Sequence, residues 1–310
     1  MHMNRVTFSC FADFHYYPGV FYCEGEERLQ KIIDRAKENK ADFILHLGDF
    51  CSTPLQSESL IRAYNTCGIP AYHVLGNHDA DLCTKEEAVT AYGMPHNYYY
   101  FDIHGFRFIV FDPNYCLVDG EYVPYSKGNY FKTPTCRDYV PGNQITWLGE
   151  IIFSSPYPCI LLSHSSLERT RNGIRNRDKI LSMIKEANRE KRKVIMCING
   201  HYHRDFIRIW DNVVYYDVNS ATMDWLENPH HDLFPPDYYA KYKRMGNLVV
   251  FNDPVHPIIT LSEDGTVDIK GMESSFLCGI SREMTDNSPT DAADRPCEPR
   301  VGSARFKIPL

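Results

Sequence analysis

Five short apolar runs of this chain each end, within a few residues, on aspartate, asparagine or histidine, and this regularity constrains the fold more than any other feature. Residues 5–10 lead to Asp13 and His15, residues 42–47 to Asp49, residues 71–75 to Asn77, residues 159–162 to His164, and residues 194–198 to His201 and His203. Runs this short and rich in Ile, Leu, Val and Phe suit buried strands. Helical patterns lie between them: residues 28–37, with Leu29, Ile32, Ile33 and Ala36 on one face, residues 57–66, and a stretch opened by the capping sequence Thr84-Lys85-Glu86-Glu87. Another helix is expected over about residues 178–190. Strands alternating with helices predict a parallel sheet, and in such sheets functional groups collect beyond the carboxyl ends of strands. Hairpins are expected where residues 98–103 turn at His104-Gly105 and where residues 206–210 turn at Asp211-Asn212. Together with runs at 248–251, 257–261 and 266–269 they suggest a second sheet. Strand pattern alone supports an α/β class with a mixed sheet.

The side chains at the strand ends are carboxylates, one amide and imidazoles. That donor set suits a pair of divalent cations such as Mn, Fe, Zn or Ni, and the chain has no Cys-x-x-Cys pair of the kind a structural zinc favours. Asp49 is the natural bridge, since one carboxylate can join two cations about 3.5–4 Å apart, whose combined charge brings hydroxide within reach near neutral pH. Taken singly, a Gly-Asp marks a turn and a His-x-His a surface pair; the ordered set carries the weight.

The local texts are Ala12-Asp13-Phe14-His15, Leu47-Gly48-Asp49, Gly76-Asn77-His78-Asp79, Ser163-His164 and Asn199-Gly200-His201-Tyr202-His203. Over about residues 5–270 the chain resembles the calcineurin-like metallophosphoesterases. The resemblance implies a four-layer αββα sandwich of two mixed β-sheets flanked by helices. It also implies that one metal is held by Asp13, His15, Asp49 and His203, and the other by Asp49, Asn77, His164 and His201. His78 would then stabilise the transition state or protonate the leaving oxygen. Asn77 offers only a neutral oxygen, so its metal keeps more Lewis acidity. Asp79 is expected to orient His78 through one ring nitrogen. The implied reaction is in-line attack of a hydroxide bridging the metals on a small phosphorylated substrate, with a phosphodiester, such as a nucleotide, preferred. A phosphomonoesterase or protein phosphatase is the alternative activity, and a non-catalytic interaction scaffold of the same fold the alternative class. The first box continues as Tyr16-Tyr17-Pro18-Gly19 without an early glycine, and the second as Phe50-Cys51-Ser52 without an acidic residue, departures that bear on substrate.

A formal net charge of −7 disfavours duplex nucleic acid or an anionic membrane as partner, because positive charge holds both. The 310 residues, 43% of them hydrophobic, can bury a substantial core. Eleven scattered cysteines, with Cys10, Cys159 and Cys197 inside apolar runs, suit a reducing cytoplasm. The amino terminus runs directly into a strand, without an export signal, and no apolar stretch approaches a membrane span.

Residues 1–271 are read as the catalytic domain and 272–310 as a C-terminal extension, polar around Thr285-Asp286-Asn287-Ser288-Pro289, that wraps the domain or stays mobile. Three segments are candidates for specificity. Residues 112–142 carry Tyr115, Tyr122, Tyr125, Tyr130 and Tyr139 and form either an aromatic wall over the metals or a packed loop. Residues 168–175 bring Arg169, Arg171 and Arg175, suited to a phosphate or ribose or else to a solvated approach to a helix, and residues 223–247 bring Trp225, Phe234, Tyr238, Tyr239 and Tyr242, on which a base or sugar could stack. His46 and His73 read as interior residues, and His230 and His231 as solvated.

Overall fold

The computed structural model describes residues 4–22, 24–226, 228–285 and 297–308. Strand Arg5–Phe11 runs parallel to Phe43–His46, which runs parallel to Ala71–His73, with Cys10 beside Leu45 and His46 beside His73. Beyond Arg5–Phe11 the sheet continues antiparallel through Ile258–Ser262, Thr266–Lys270 and Ala304–Lys307. The second six-stranded sheet has the order Phe206–Trp210, Val213–Asp217, Val194–Asn199, Cys159–Leu162, Phe106–Val110 and Tyr99–Ile103. It is parallel inside and antiparallel at both edges. The two hairpins thus join the second sheet as anticipated, whereas Ile258–Ser262 and Thr266–Lys270 join the first. Leu248–Val250 leaves both sheets and pairs with Met223–Trp225.

The sheets pack face to face because alternate residues of each are apolar on the inner side. Val6, Phe8 and Cys10 meet Phe106, Phe108 and Val110, and the Phe43 ring lies 4.9 Å from both Phe8 and Phe108. Truncating a ring as buried as Phe8 costs about 3–5 kcal/mol. The outer face of the first sheet is covered by helices Gly25–Glu38, Glu58–Asn65 and Lys85–Tyr92 through Leu29, Ile32, Leu60, Tyr64 and Ala88. Helices Gly142–Ser154 and Arg177–Ala187 cover the second through Leu148, Ile152, Ile180 and Ile184. The result is the four-layer αββα sandwich. Helix Lys85–Tyr92 starts where the capping sequence predicts: Thr84 Oγ1 accepts from Glu87 N, and the Glu87 carboxylate accepts from Thr84 N.

Residues 112–142 fold into the hairpin Tyr115–Val118 and Glu121–Pro124 and the short turn Asn129–Lys132. They dock on the segment after Asn77: Gly128 N donates to Ala80 O at 3.0 Å and Lys127 N to Cys83 O at 2.9 Å. Tyr125 and Tyr130 are buried and stack at 4.7 Å, so of the two forms expected for this segment the tightly packed one holds for them. Past residue 271 the chain returns to the body, with Met272–Glu273 pairing with Arg300–Val301 before the edge strand Ala304–Lys307. Residues 286–296 of the polar stretch lie outside the described residues. Among the described residues no helix is long and apolar enough to cross a membrane.

Candidate metal centre

The loops that leave the carboxyl ends of strands from both sheets converge at one edge of the sandwich. They bring two triads together, Asp13 with His15 and His203, and Asp49 with His164 and His201, each with its donor atoms within 4.8 Å of one another. His203 Nε2 lies 3.2 Å from Asp13 Oδ1 and 3.1 Å from His15 Nε2. His164 Nε2 lies 3.1 Å from Asp49 Oδ2 and 3.2 Å from His201 Nδ1. The two halves touch, since Asp13 Oδ1 is 3.8 Å from His164 Nε2 and Asp49 Oδ2 is 4.0 Å from His15 Nε2.

The backbone at this edge is held in an uncommon conformation. Asp13, His15, Asp49, His201 and His203 all have positive φ, between 51° and 70°. Asp and His tolerate the left-handed region better than most residues, yet each such position still costs about 1–2 kcal/mol. The strain persists because neighbouring groups over-determine it: Asp13 N donates to Gly48 O at 2.9 Å, His15 N to Asp49 O at 2.9 Å, and His201 N to Asp13 Oδ2 at 2.9 Å. Strain concentrated on potential ligands is characteristic of a functional site. At Gly76 a Cβ would lie 2.1 Å from Asp49 Oδ1, and at Gly48, where φ is +99°, a Cβ would lie 2.4 Å from His164 Nδ1. Those two positions admit only hydrogen.

Buried donors without partners test whether the residues suit cations. Asn77 Oδ1 is buried without a hydrogen-bond partner, and Asp13 Oδ1 has only histidine nitrogens beside it, His203 Nε2 at 3.2 Å and His164 Nε2 at 3.8 Å. An unpaired buried acceptor costs about 1–3 kcal/mol, more when charged, and a cation removes that cost. Asn77 keeps that oxygen available, because its Nδ2 is engaged by Tyr130 Oη at 3.2 Å. His164 Nδ1 can only donate to Leu47 O at 2.8 Å, which leaves Nε2 as the inward lone pair. Oxygen and imidazole donors in two sets of this kind fit two divalent cations.

A family model for calcineurin-like phosphoesterases matches residues 6–205, a span that includes every one of these donors. The chain belongs to that family. No curated protein matches this phosphoesterase in sequence. Among solved structures it resembles a dimetal phosphatase from Danio rerio at 15% identity and a TM-score of 0.61, covering 88% of this chain and 98% of that one. It also resembles GAP50, described as the anchor in the inner membrane complex of Plasmodium, at 13% identity and a TM-score of 0.57, covering 99% of this chain and 90% of that one. At these identities the likeness is one of fold.

In this phosphoesterase the histidines differ in basicity. Burial lowers all four, but at His164 the neighbouring Asp49 and Asp13 charges outweigh it and raise the imidazole above its ordinary value, a pull that a cation would take over. Asp13 and Asp224 do the same at His203. His15 and His201 stay well below the ordinary value because burial prevails. Asp49 itself is held well below the carboxylate range, burial opposing and His164 and His78 prevailing.

The structure corrects the partner expected for His78. Asp79 turns away and accepts from Asp49 N at 3.0 Å, Phe50 N at 2.9 Å, Cys51 N at 3.2 Å, Gly76 N at 2.8 Å and Tyr92 Oη at 2.6 Å. Adjacent side chains in a tight turn diverge, so Asp79 ties two strand ends together. Burial and the Asp49 charge raise its carboxyl to about 7 against these donors. The residue three further on meets the ring instead: Asp81 Oδ2 lies 2.8 Å from His78 Nδ1, and Tyr130 Oη donates to Asp81 Oδ1 at 2.5 Å. His78 N also donates to Asp49 Oδ1 at 2.7 Å. The signal in the sequence was the spacing of three from His78 to Asp81 within a 3₁₀ turn.

Asp224 was likewise unmarked in the sequence. Its Oδ1 lies 3.4 Å from His203 Nδ1, and Arg204 Nη1 donates to its Oδ2 at 2.6 Å. Arg169 pairs with Asp217 at 3.5 Å and stacks over Tyr202, so its charge is directed into the fold. His46 and His73 are buried among Phe50, Tyr64 and Tyr92, as expected of interior residues.

Proposed function

We propose that this phosphoesterase is a two-metal hydrolase of a small phosphodiester. The observation that carries the reading is the doubled donor set, with the buried Asn77 oxygen left without a hydrogen-bond partner. One cation would be held by Asp13, His15, Asp49 and His203, and the other by Asp49, Asn77, His164 and His201. Two cations so held would supply the charge that polarises a phosphoryl oxygen and makes water acidic enough to attack phosphorus. The chain's own contribution is positional. Asp49 Oδ2 lies between the triads, and its Oδ1 accepts from His78 N, which ties His78 to the centre. His78, held by Asp81, is the group positioned to give a proton to the departing oxygen.

A diester is favoured over a monoester by charge. Arg169 and Arg204 are paired with Asp217 and Asp224, and Arg137, whose charge reaches His201, is paired with Asp138. A singly charged diester asks less of the remaining protein than a dianionic monoester. A cytoplasmic setting belongs to the same reading, since Cys10, Cys159 and Cys197 are packing residues inside strands. The catalytic unit would be residues 1–271, with the C-terminal residues laid along its first sheet.

The test is hydrolysis of a chromogenic phosphodiester beside the matching monoester with added Mn²⁺. Turnover of the diester is expected. Turnover of the monoester alone would move the reading to a phosphatase, and turnover of neither would favour a non-catalytic scaffold.

A further inference from the structure

The rim of the centre carries two large aromatic side chains that the hydrolytic chemistry does not use. Trp225 lies 5.6 Å from the His15 ring, 6.1 Å from His78 and 6.4 Å from His203, and it is 36% exposed. Phe131 lies 6.0 Å from the His78 ring and is 58% exposed. They come from segments far apart in sequence, and each follows directly on a residue that positions the centre. Trp225 follows Asp224, the partner of His203, and Phe131 follows Tyr130, the partner of Asp81. The structure therefore holds both rings at a set distance from the donors. Phe21 meets the Trp225 ring edge-on at 5.3 Å, and Tyr130 meets Phe131 at 4.3 Å, which restricts both further.

Single exposed aromatics are ordinary on a protein surface, but Trp225 and Phe131 both meet the His78 ring, at 6.1 and 6.0 Å, and so flank one polar site. Beside a centre suited to a phosphoryl group, the complementary ligand has a charged end and a flat apolar end. Because both rings adjoin His78, the flat end belongs to the alcohol that departs.

We infer that Trp225 and Phe131 form a subsite for a planar heteroaromatic group, of the nucleobase class, carried on the leaving-group side of the phosphoester. The inference rests on the phosphoesterase reading above and adds the substrate class. A matched pair of ligands isolates it: adenosine 5′-monophosphate and ribose 5-phosphate share the phosphate and the primary alcohol and differ in the base.

Binding to the Mn²⁺-loaded full chain is the measurement, by calorimetry and by tryptophan emission. The nucleotide is expected to bind at least about fivefold more tightly, the lower end of what one base–aromatic stack contributes. Trp225→Ala and Phe131→Ala should each bring the ratio of the two affinities toward one. The nucleotide, and not the sugar phosphate, should quench tryptophan emission, and Trp225→Phe should abolish that quench while remaining aromatic enough to fold. Equal affinity for the two ligands, or an affinity ratio indifferent to both alanine variants, would overturn the inference and leave the phosphoesterase reading intact. Failure of both ligands to bind would overturn the inference, while the phosphoesterase reading stands or falls separately on turnover of the chromogenic diester.

Discussion

Asp81 Oδ2 lies 2.8 Å from His78 Nδ1, and the opposite carboxylate oxygen is held by Tyr130 Oη at 2.5 Å. This arrangement fixes the ring through Nδ1 and sets its basicity. Burial lowers the His78 pKa, but Asp49 and Asp81 outweigh it and the net shift is upward. As a proton donor His78 is active when protonated, so turnover should fall as pH rises through its pKa. Asp81→Asn removes one of the raising charges, and the alkaline limb of the pH–rate profile should move to lower pH while kcat drops about tenfold or more, within the range of general acid catalysis. Metal content should be retained. An alkaline limb that stays in place would contradict the role given to Asp81.

Asp224 supports His203 from outside the donor set. Loss of such a partner weakens metal binding about 10–100-fold. Asp224→Asn should therefore keep the fold but bind one of its two Mn²⁺ ions weakly, so that titration at limiting metal gives about one equivalent where the parent protein takes two. Calorimetric titration reads this directly, and unchanged affinity at both sites would contradict it.

Acid should destabilise the protein through histidines remote from the centre. Burial lowers His73 and His256 to about 3. Their unfolded value is about 6.5, so the folded state resists protonation that the unfolded chain accepts. Stability from these two groups is complete above about pH 6.5 and is lost as pH falls toward 3. At pH 5 each removes about 2 kcal/mol. Thermal unfolding followed from pH 7 to pH 4 should show this slope, and His256→Leu should flatten it by about one histidine's share.

Gly76→Ala should abolish the centre, because its Cβ would occupy space 2.1 Å from Asp49 Oδ1. Loss of bound Mn²⁺, measured by elemental analysis on the folded variant, is the expected result. Full metal content would show that the loop yields more easily than its contacts imply.

The donors were legible in the sequence because strand ends are where α/β folds collect polar groups, and Asp13, Asp49, Asn77, His164, His201 and His203 each follow an apolar run. The helix at Lys85–Tyr92 was legible through its cap. Asp81 was hidden because a carboxylate three residues along could face either way until the turn was known. Asp224 sits on a short strand whose partner, Leu248–Val250, lies more than twenty residues away, and local pattern says nothing of such pairing. The same limit hid the edge strand Ala304–Lys307, which lies in the stretch read only as an extension that wraps the domain or stays mobile. The division of strands between the sheets follows from long-range pairing of Arg5–Phe11 with Ile258–Ser262.

The most direct test of the central claim compares Asp49→Asn and His78→Ala for bound Mn²⁺ and for diester turnover. Asp49→Asn should lose metal and turnover together, whereas His78→Ala should keep two equivalents of metal and lose turnover about a hundredfold or more. Full activity in His78→Ala would remove its catalytic role, and an active Asp49→Asn protein would contradict the two-metal centre itself.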